Sequence, residues 1–391
     1  MSQATNRYQN KDDETEQALD LILRCCRNET PHPQEFARTD PDHFAALAYH
    51  HGVVPIVYET LRQYESETSY QNLQKLIAII QSQYHSIIRH NMRLSAELLK
   101  IVEIAQKHSI ETRPFKGPVL SQLLYGNITK RQFSDIDILI KPEAFHTISS
   151  YLKNKGYKPL YPVETYNDAV LFRMNNDCPF YNRKRGIAVE IHWEFFRKLA
   201  LPTSRFRIWD SFETVTINRQ SVTTLSTETH FLYITLHAVK HFFERFMWVC
   251  DIDRFVRNNP DMNWCSLLNT AHTLHAKRMF LFGLFVAHHY LYTPLPDHIL
   301  QLFPKESFQK HLKFVASTLR TSHLSTPGSL QKFKLLLTLR DTPLSKISML
   351  LEYLFKPGIN ERRIIILPKK LFFLYWIIRP FGMIYRLRKN L

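Results

Sequence analysis

Two carboxylates stand two residues apart in the run Ser134-Asp135-Ile136-Asp137-Ile138-Leu139-Ile140. The β-branched and apolar residues around them predict a buried strand, and side chains two apart on a strand share a face. Asp135 and Asp137 then emerge side by side in apolar surroundings, where their charges repel each other. A cation between them relieves the repulsion. Mg2+ suits the pair, because it takes one or two carboxylates and fills its shell with water and phosphate oxygens. The competing reading is two solvent-exposed aspartates on an edge strand.

A third carboxylate stands in Ile187-Ala188-Val189-Glu190-Ile191-His192-Trp193, which alternates in the same way. Glu190 and His192 share a face of that strand. If it neighbours the aspartate strand, three acids converge on one cavity. Two Mg2+ ions about 3.5–4 Å apart can then hold a nucleoside triphosphate and activate an acceptor hydroxyl for in-line attack. His192 titrates near neutrality and is a candidate to deprotonate that hydroxyl, or else a hydrogen-bonded neighbour of the acids.

These strands need a scaffold, and the apolar spacing supplies one. Residues 1–15 are polar and predict an unstructured lead-in, and residues 16–110 predict a helical region. The run from about Tyr70 to His108 lacks Gly and Pro and predicts one long helix. Residues 111–226 alternate short strands with short helices: a strand at Ile110–Phe115, a turn at Lys116-Gly117-Pro118, the aspartate strand, a strand at Ala169–Met174, and a hairpin across Asn182–Gly186. Residues 227–320 return to helical spacing, with one stripe running unbroken from Leu232 to Cys250. Residues 321–391 predict a linker followed by a basic, aromatic C-terminal segment. The expected fold class is α+β: a small mixed-sheet core flanked by N- and C-terminal helical regions.

Composition narrows the partners. Only nine glycines in 391 residues argue against a glycine-rich nucleotide fold. The charge of +16 favours polyanions: nucleotide, nucleic acid or anionic lipid. No recognition motif of a DNA- or RNA-binding type is present, so a specific nucleic acid is not expected. Five scattered cysteines, with no C-x-x-C pair, read as reduced thiols of a cytoplasmic protein. From Lys356 onward, apolar and aromatic runs are cut by Lys369, Lys370, Arg379 and Pro380. That interruption argues against spanning a bilayer. It suits either a peripheral contact with the inner membrane face or a helix packed on the protein.

Together, Lys116-Gly117, Asp135–Leu139, Gly156-Tyr157, Glu190–His192 and His237-x-x-Lys240-His241…Trp248…Asp251-Ile252 resemble an uncharacterised bacterial nucleotidyltransferase family. That family is similar to the wider polymerase-β-like nucleotidyltransferase superfamily. The resemblance implies that Asp135, Asp137 and Glu190 ligate Mg2+, with two ions, and that a nucleoside monophosphate passes from an NTP, ATP by default, to an acceptor. The acceptor stays open among a small molecule, a sugar, a peptide or a protein. Where the superfamily has Gly-Ser or Gly-Gly, this chain has Gly117-Pro118, and proline lacks an N–H for phosphate. Lys116 and Arg131 are the expected replacement cations, with Gly117, Lys240 and His241 completing the nucleotide-binding set. A stripe at His237 and His241 that merely docks its helix on the core is the structural alternative. A catalytically inactive nucleotide-binding or adaptor protein of the same fold is the functional one.

Overall fold

Five N-terminal helices follow from the apolar spacing: α1 (Ser2–Cys26), α2 (Pro33–Ala37), α3 (Pro41–His50), α4 (Val54–Leu61) and α5 (Gln71–Lys107). A computed structural model describes residues 2–160, 171–172, 175–196, 201–202, 208–320, 329–357, 365, 367–368 and 371–389. Helix α3 starts where Asp40 accepts a hydrogen bond from the His43 N–H at 2.7 Å, with Pro41 in the first turn. The expected unstructured lead-in is helical from Ser2. Nothing before Pro31 breaks a helix, and the buried Ala18, Leu21 and Ile22 anchor its second half.

The 37 residues of α5 span about 55 Å, and they serve two cores. Leu73, Leu76, Ile77 and Ile80 join the core of the helical part, whereas Leu94, Leu98, Ile101 and Ala105 pack behind the sheet. Between the two halves, buried Asn91 donates through Nδ2 to the carbonyls of Ile128 and Arg131, both at 2.8 Å. That clamp fixes the loop leading into the aspartate strand.

The sheet elements are β1 (Thr112–Pro114), α6 (Gly117–Tyr125), β2 (Asp135–Ile140), α7 (Phe145–Asn154), β3 (Lys158–Pro159), β4 (Asp177–Asn182) and β5 (Ile187–His192). The strand order is β1-β2-β5-β4-β3, with β2 and β5 parallel and the other pairs antiparallel. The fold is α+β. Strand β2 lies between β1 and β5, so it is not the edge strand of the competing reading. Ile136, Ile138, Ile140, Val189 and Ile191 fill the core behind the sheet, which leaves the opposite face to the acids.

The strand expected at Ala169–Met174 falls mostly outside the described residues, and Leu171 and Phe172 are helical. A hairpin absent from the expectations, β6 (Phe212–Ile217) with β7 (Gln220–Leu225), turns through Asn218 and Arg219 at φ 47° and 67°. Two left-handed residues in a two-residue loop match the twist of a hairpin, and an arginine in the second place hid the usual Asn-Gly signal. β7 is tied to β1 by Thr224 Oγ1 donating to the Pro114 carbonyl at 2.6 Å.

Next come α8 (Thr227–Lys240), α9 (Met247–Asn258), α10 (Trp264–Thr273), α11 (Lys277–Leu291), α12 (Asp297–Leu300), α13 (Lys305–Arg320), α14 (Ser329–Thr338), α15 (Pro343–Phe355) and α16 (Leu374–Lys389). The stripe from Leu232 to Cys250 is therefore two helices, not one. The chain breaks after Lys240 because Phe242 and Phe243 take left-handed backbone at φ 48° and 54°. Each such aromatic residue costs on the order of 1–3 kcal/mol, offset by full burial against Phe314 and Phe282. Of the expected linker, residues 321–328 lie outside the described residues, and the chain is helical from Ser329. None of the described helices is long and apolar enough to cross a membrane.

Candidate active site

The parallel register sets Asp137 directly beside Glu190 and places Asp135 and His192 on the same face. Asp137 is buried. Its Oδ1 accepts hydrogen bonds from Lys116 Nζ at 2.7 Å and from His192 Nε2 at 3.0 Å. His192 Nε2 also lies 3.3 Å from Glu190 Oε2. Asp137 Oδ2 is buried without a partner. A buried carboxylate oxygen left unpaired costs about 1–3 kcal/mol.

Electrostatics follow from the crowding. Burial pushes the Asp135 carboxyl up to about 7, assisted by the neighbouring Asp137 charge. Burial alone would raise Asp137 too, but the Lys116 ammonium and the His192 ring hold it well below the ordinary carboxylate range. Burial opposes the charge on His192, yet its hydrogen bonds to Asp137 and Glu190 lift it to about 9. Its ring nitrogen is thus engaged between two acids, which suits orienting Asp137 better than removing a proton from an acceptor.

Gly117 carries the close approach that seats Lys116. Its φ of +53° is left-handed, and a Cβ there would lie 2.9 Å from the Asp135 carbonyl oxygen. Only glycine lets the start of α6 lie against β2 this way. Pro118 falls in the first helical turn, where an N–H has no partner within the helix, so the proline costs α6 nothing.

A cavity of about 420 Å³ opens over this face. Its floor is Asp135, Glu190, His192 and Lys116. The far wall comes from α8, from the break after it and from the start of α9. The Tyr233 and His237 rings stack at 5.7 Å, and Trp248 stands edge-on to His237 at 5.3 Å and 5.4 Å from His241. Lys240, Glu244 and Arg245 complete that wall. Without the left-handed pair Phe242-Phe243, a continuing helix would carry Arg245 and Trp248 elsewhere.

Arg131 also lines the cavity, but its guanidinium is held elsewhere. Its Nε and one terminal nitrogen each donate to Asp251, at 2.8 Å, in a buried fork. The pair joins the loop before β2 to α9. Sequence separation of 120 residues gave no local signal for it. Arg131, expected to meet phosphate, lines the cavity and through Asp251 also ties the core to the helical region. The metal-ligand set was expected to be Asp135, Asp137 and Glu190. The structure gathers ligand atoms of Asp137, Glu190 and His192 within 4.8 Å of one another, with Asp135 in the adjoining cavity floor.

The family described as uncharacterised nucleotidyltransferase matches residues 37–292, more than half of the chain. The chain belongs to that family. The matched span of this nucleotidyltransferase-family protein contains every residue of the cavity described above. No curated protein matches the chain. Among solved structures, it is similar to an antigenic nucleotidyltransferase-like protein from Paracoccidioides brasiliensis. That likeness has 16% identity and a TM-score of 0.31, and covers 52% of this chain and 93% of the other.

Two features of this family member were not among the expected site residues. Tyr233 reaches the cavity beside Lys116, whose ammonium lies 5.8 Å from its ring. A second depression of about 270 Å³, lined by Tyr49, His50, His90, Arg93 and Gln132, adjoins the first and shares Phe133, Ser134 and Arg245 with it. Neither belongs to a short motif, which is why spacing alone did not reveal them.

Proposed function

We propose that this protein is a Mg2+-dependent nucleotidyltransferase that moves a nucleoside monophosphate from an NTP, ATP by default, to a hydroxyl acceptor. The observation that carries the proposal is the buried, unpartnered Oδ2 of Asp137 beside Glu190, on the face shared with Asp135. That acid-rich donor set fits a hard divalent ion. Asp137, Glu190 and Asp135 would hold it, while Lys116 and His192 fix Asp137 through Oδ1. When bound, the metal neutralises the phosphates and the charge that develops during transfer.

The remaining work falls to the protein's own side chains. The wall of Tyr233, His237 and Trp248 offers ring faces to a nucleobase. Lys116, Lys240 and Arg245 give the cavity the positive charge a triphosphate needs. The acceptor approaches through the depression shared at Ser134 and Arg245, which Arg93 and, among the described residues, no carboxylate lines. Its hydroxyl oxygen gives up its proton to solvent and bonds to the α-phosphorus, the bond to the α–β bridging oxygen breaks, and pyrophosphate leaves. Catalysis in such a site is positioning and electrostatic stabilisation.

Asp137→Asn tests the reading. Calorimetric titration of the protein with ATP should show binding that requires Mg2+, and the variant should lose that requirement along with its affinity. Equal Mg2+-dependent binding by both proteins would remove Asp137 from the metal site.

A further inference from the structure

Large apolar side chains exposed to solvent are not spread evenly over the molecule. Of nineteen such residues among those described, eleven lie between Leu344 and Phe381. On α15, Leu344, Ile347, Leu351 and Phe355 recur at three- and four-residue steps and are all exposed, Leu344 at 76%. The opposite side of the same helix buries Ser345 and Met349. On α16 and the residues before it, Phe373, Ile377 and Phe381 repeat every four residues, with Phe381 at 68% and Trp376 exposed beside them. Tyr375 points inward, its hydroxyl donating to the Ile365 carbonyl at 2.7 Å and accepting from the Leu367 N–H at 2.9 Å. The two helices pack together. Each presents a regular apolar stripe outward, the reverse of a helix that covers a core.

Charge identifies the occupant. Residues 343–391 contain ten Lys and Arg against Glu352 and Glu361, so they supply half of the chain's +16. A second copy of this segment would bring the same net charge of +8 against it. Apolar and aromatic residues flanked by Lys and Arg match the boundary between acyl chains and anionic headgroups.

We propose that α15 and α16 form a two-helix docking surface that lies in the headgroup region of an anionic bilayer, without crossing it. The pair is linked to the catalytic cavity. Phe333 of α14 stacks on Tyr353 of α15 with ring centroids 3.9 Å apart, and the neighbouring Lys332 pairs with Glu244 on the cavity wall. Docking would therefore hold the cavity at a set position relative to the lipid surface. The surface is independent of the nucleotidyl-transfer reading, and its test uses no nucleotide.

The test is flotation of the full chain with vesicles of phosphatidylcholine alone or with phosphatidylserine added. The protein should float with the anionic vesicles only. Its tryptophan emission should shift to the blue on binding, and Trp376→Phe should remove most of that shift. Ile377→Ser with Phe381→Ser should weaken binding by roughly tenfold or more, and Lys346→Gln by about fivefold. These side chains are exposed, so unchanged circular dichroism would show that the variants stay folded. Failure to float with anionic vesicles, or unchanged binding by the Ile377/Phe381 variant, would overturn the proposal. So would a concentration-dependent dimer that the same variant abolishes, since the stripes would then belong to a second copy.

Discussion

Asp137 faces Glu190 across the parallel pairing of β2 and β5, and Asp137 spends only one of its two buried oxygens on protein partners. Lys116 and His192 converge on Oδ1, so the carboxylate is fixed in orientation while Oδ2 is buried without a partner. Glu97 and Glu352 also pair a cation through one oxygen and leave the other unpartnered, but among the described residues only Asp137 does so within a cluster of further ligand groups, Glu190 and His192.

The opposite wall makes a separate claim. If the Tyr233, His237 and Trp248 rings receive the base, Trp248→Ala should weaken NTP binding by about 1–3 kcal/mol, the usual worth of one base–aromatic contact. Inorganic triphosphate, which has no base, should bind the variant and the parent alike. Fluorescence or calorimetric titration with both ligands makes the comparison. An equal loss for triphosphate would place Trp248 in the phosphate subsite instead.

The Arg131–Asp251 fork predicts a stability effect. Asp251→Ala leaves a buried guanidinium without its carboxylate and should cost about 3–5 kcal/mol in urea unfolding. Adding Arg131→Met should restore part of the loss, because it removes the uncompensated charge. A double variant as unstable as the sum of the two single ones would show that the residues do not act as a pair.

Buried His51 gives a pH dependence. Its Nε2 lies 3.0 Å from the Leu319 carbonyl and its Nδ1 accepts from the Phe246 N–H at 3.4 Å, partners that fit the neutral ring protonated at Nε2. Burial pushes its pKa down to about 3, assisted by nearby His50 and Arg245. A lowered folded-state pKa means that the unfolded chain binds the proton more readily. The stability from His51 is therefore complete above about pH 6.5 and drains away at up to ~1.4 kcal/mol per pH unit as pH falls towards 3. His51→Gln should be less stable at pH 7.5 and show a shallower decline between pH 6 and 4, measured by urea unfolding. Parallel declines would assign the acid sensitivity to other groups. Because His51 holds the Phe246 end of the break after α8, loosening it should also disturb the cavity wall.

Much of the core was legible in the residues themselves. Asp135 and Asp137 alternate with isoleucines, so their shared face follows from the two-residue period, and Glu190 and His192 obey the same rule. That β5 lies beside β2, and parallel to it, was not legible, since no local pattern states which strands pair. The break at His241–Phe246 was hidden because the apolar stripe continues in sequence through two left-handed phenylalanines that only tertiary burial can hold. The β6–β7 hairpin escaped because Arg219 stands where glycine would have announced the turn. The Arg131–Asp251 pair had no sequence signal because its partners lie 120 residues apart. The unpartnered Oδ2 of Asp137 had no sequence signal, being set by where Lys116 and His192 happen to reach.

The most direct measurement follows the label of ATP incubated with the protein, Mg2+ and a cell extract that supplies acceptors. ATP labelled at the α-phosphorus should transfer its label to a new compound, with one pyrophosphate released per transfer, and ATP labelled at the γ-phosphorus should leave that compound unlabelled. The Asp137→Asn variant should yield neither product nor pyrophosphate. Transfer of the γ-label would identify a phosphoryl-transfer enzyme and contradict the account, as would α-label transfer undiminished in the variant.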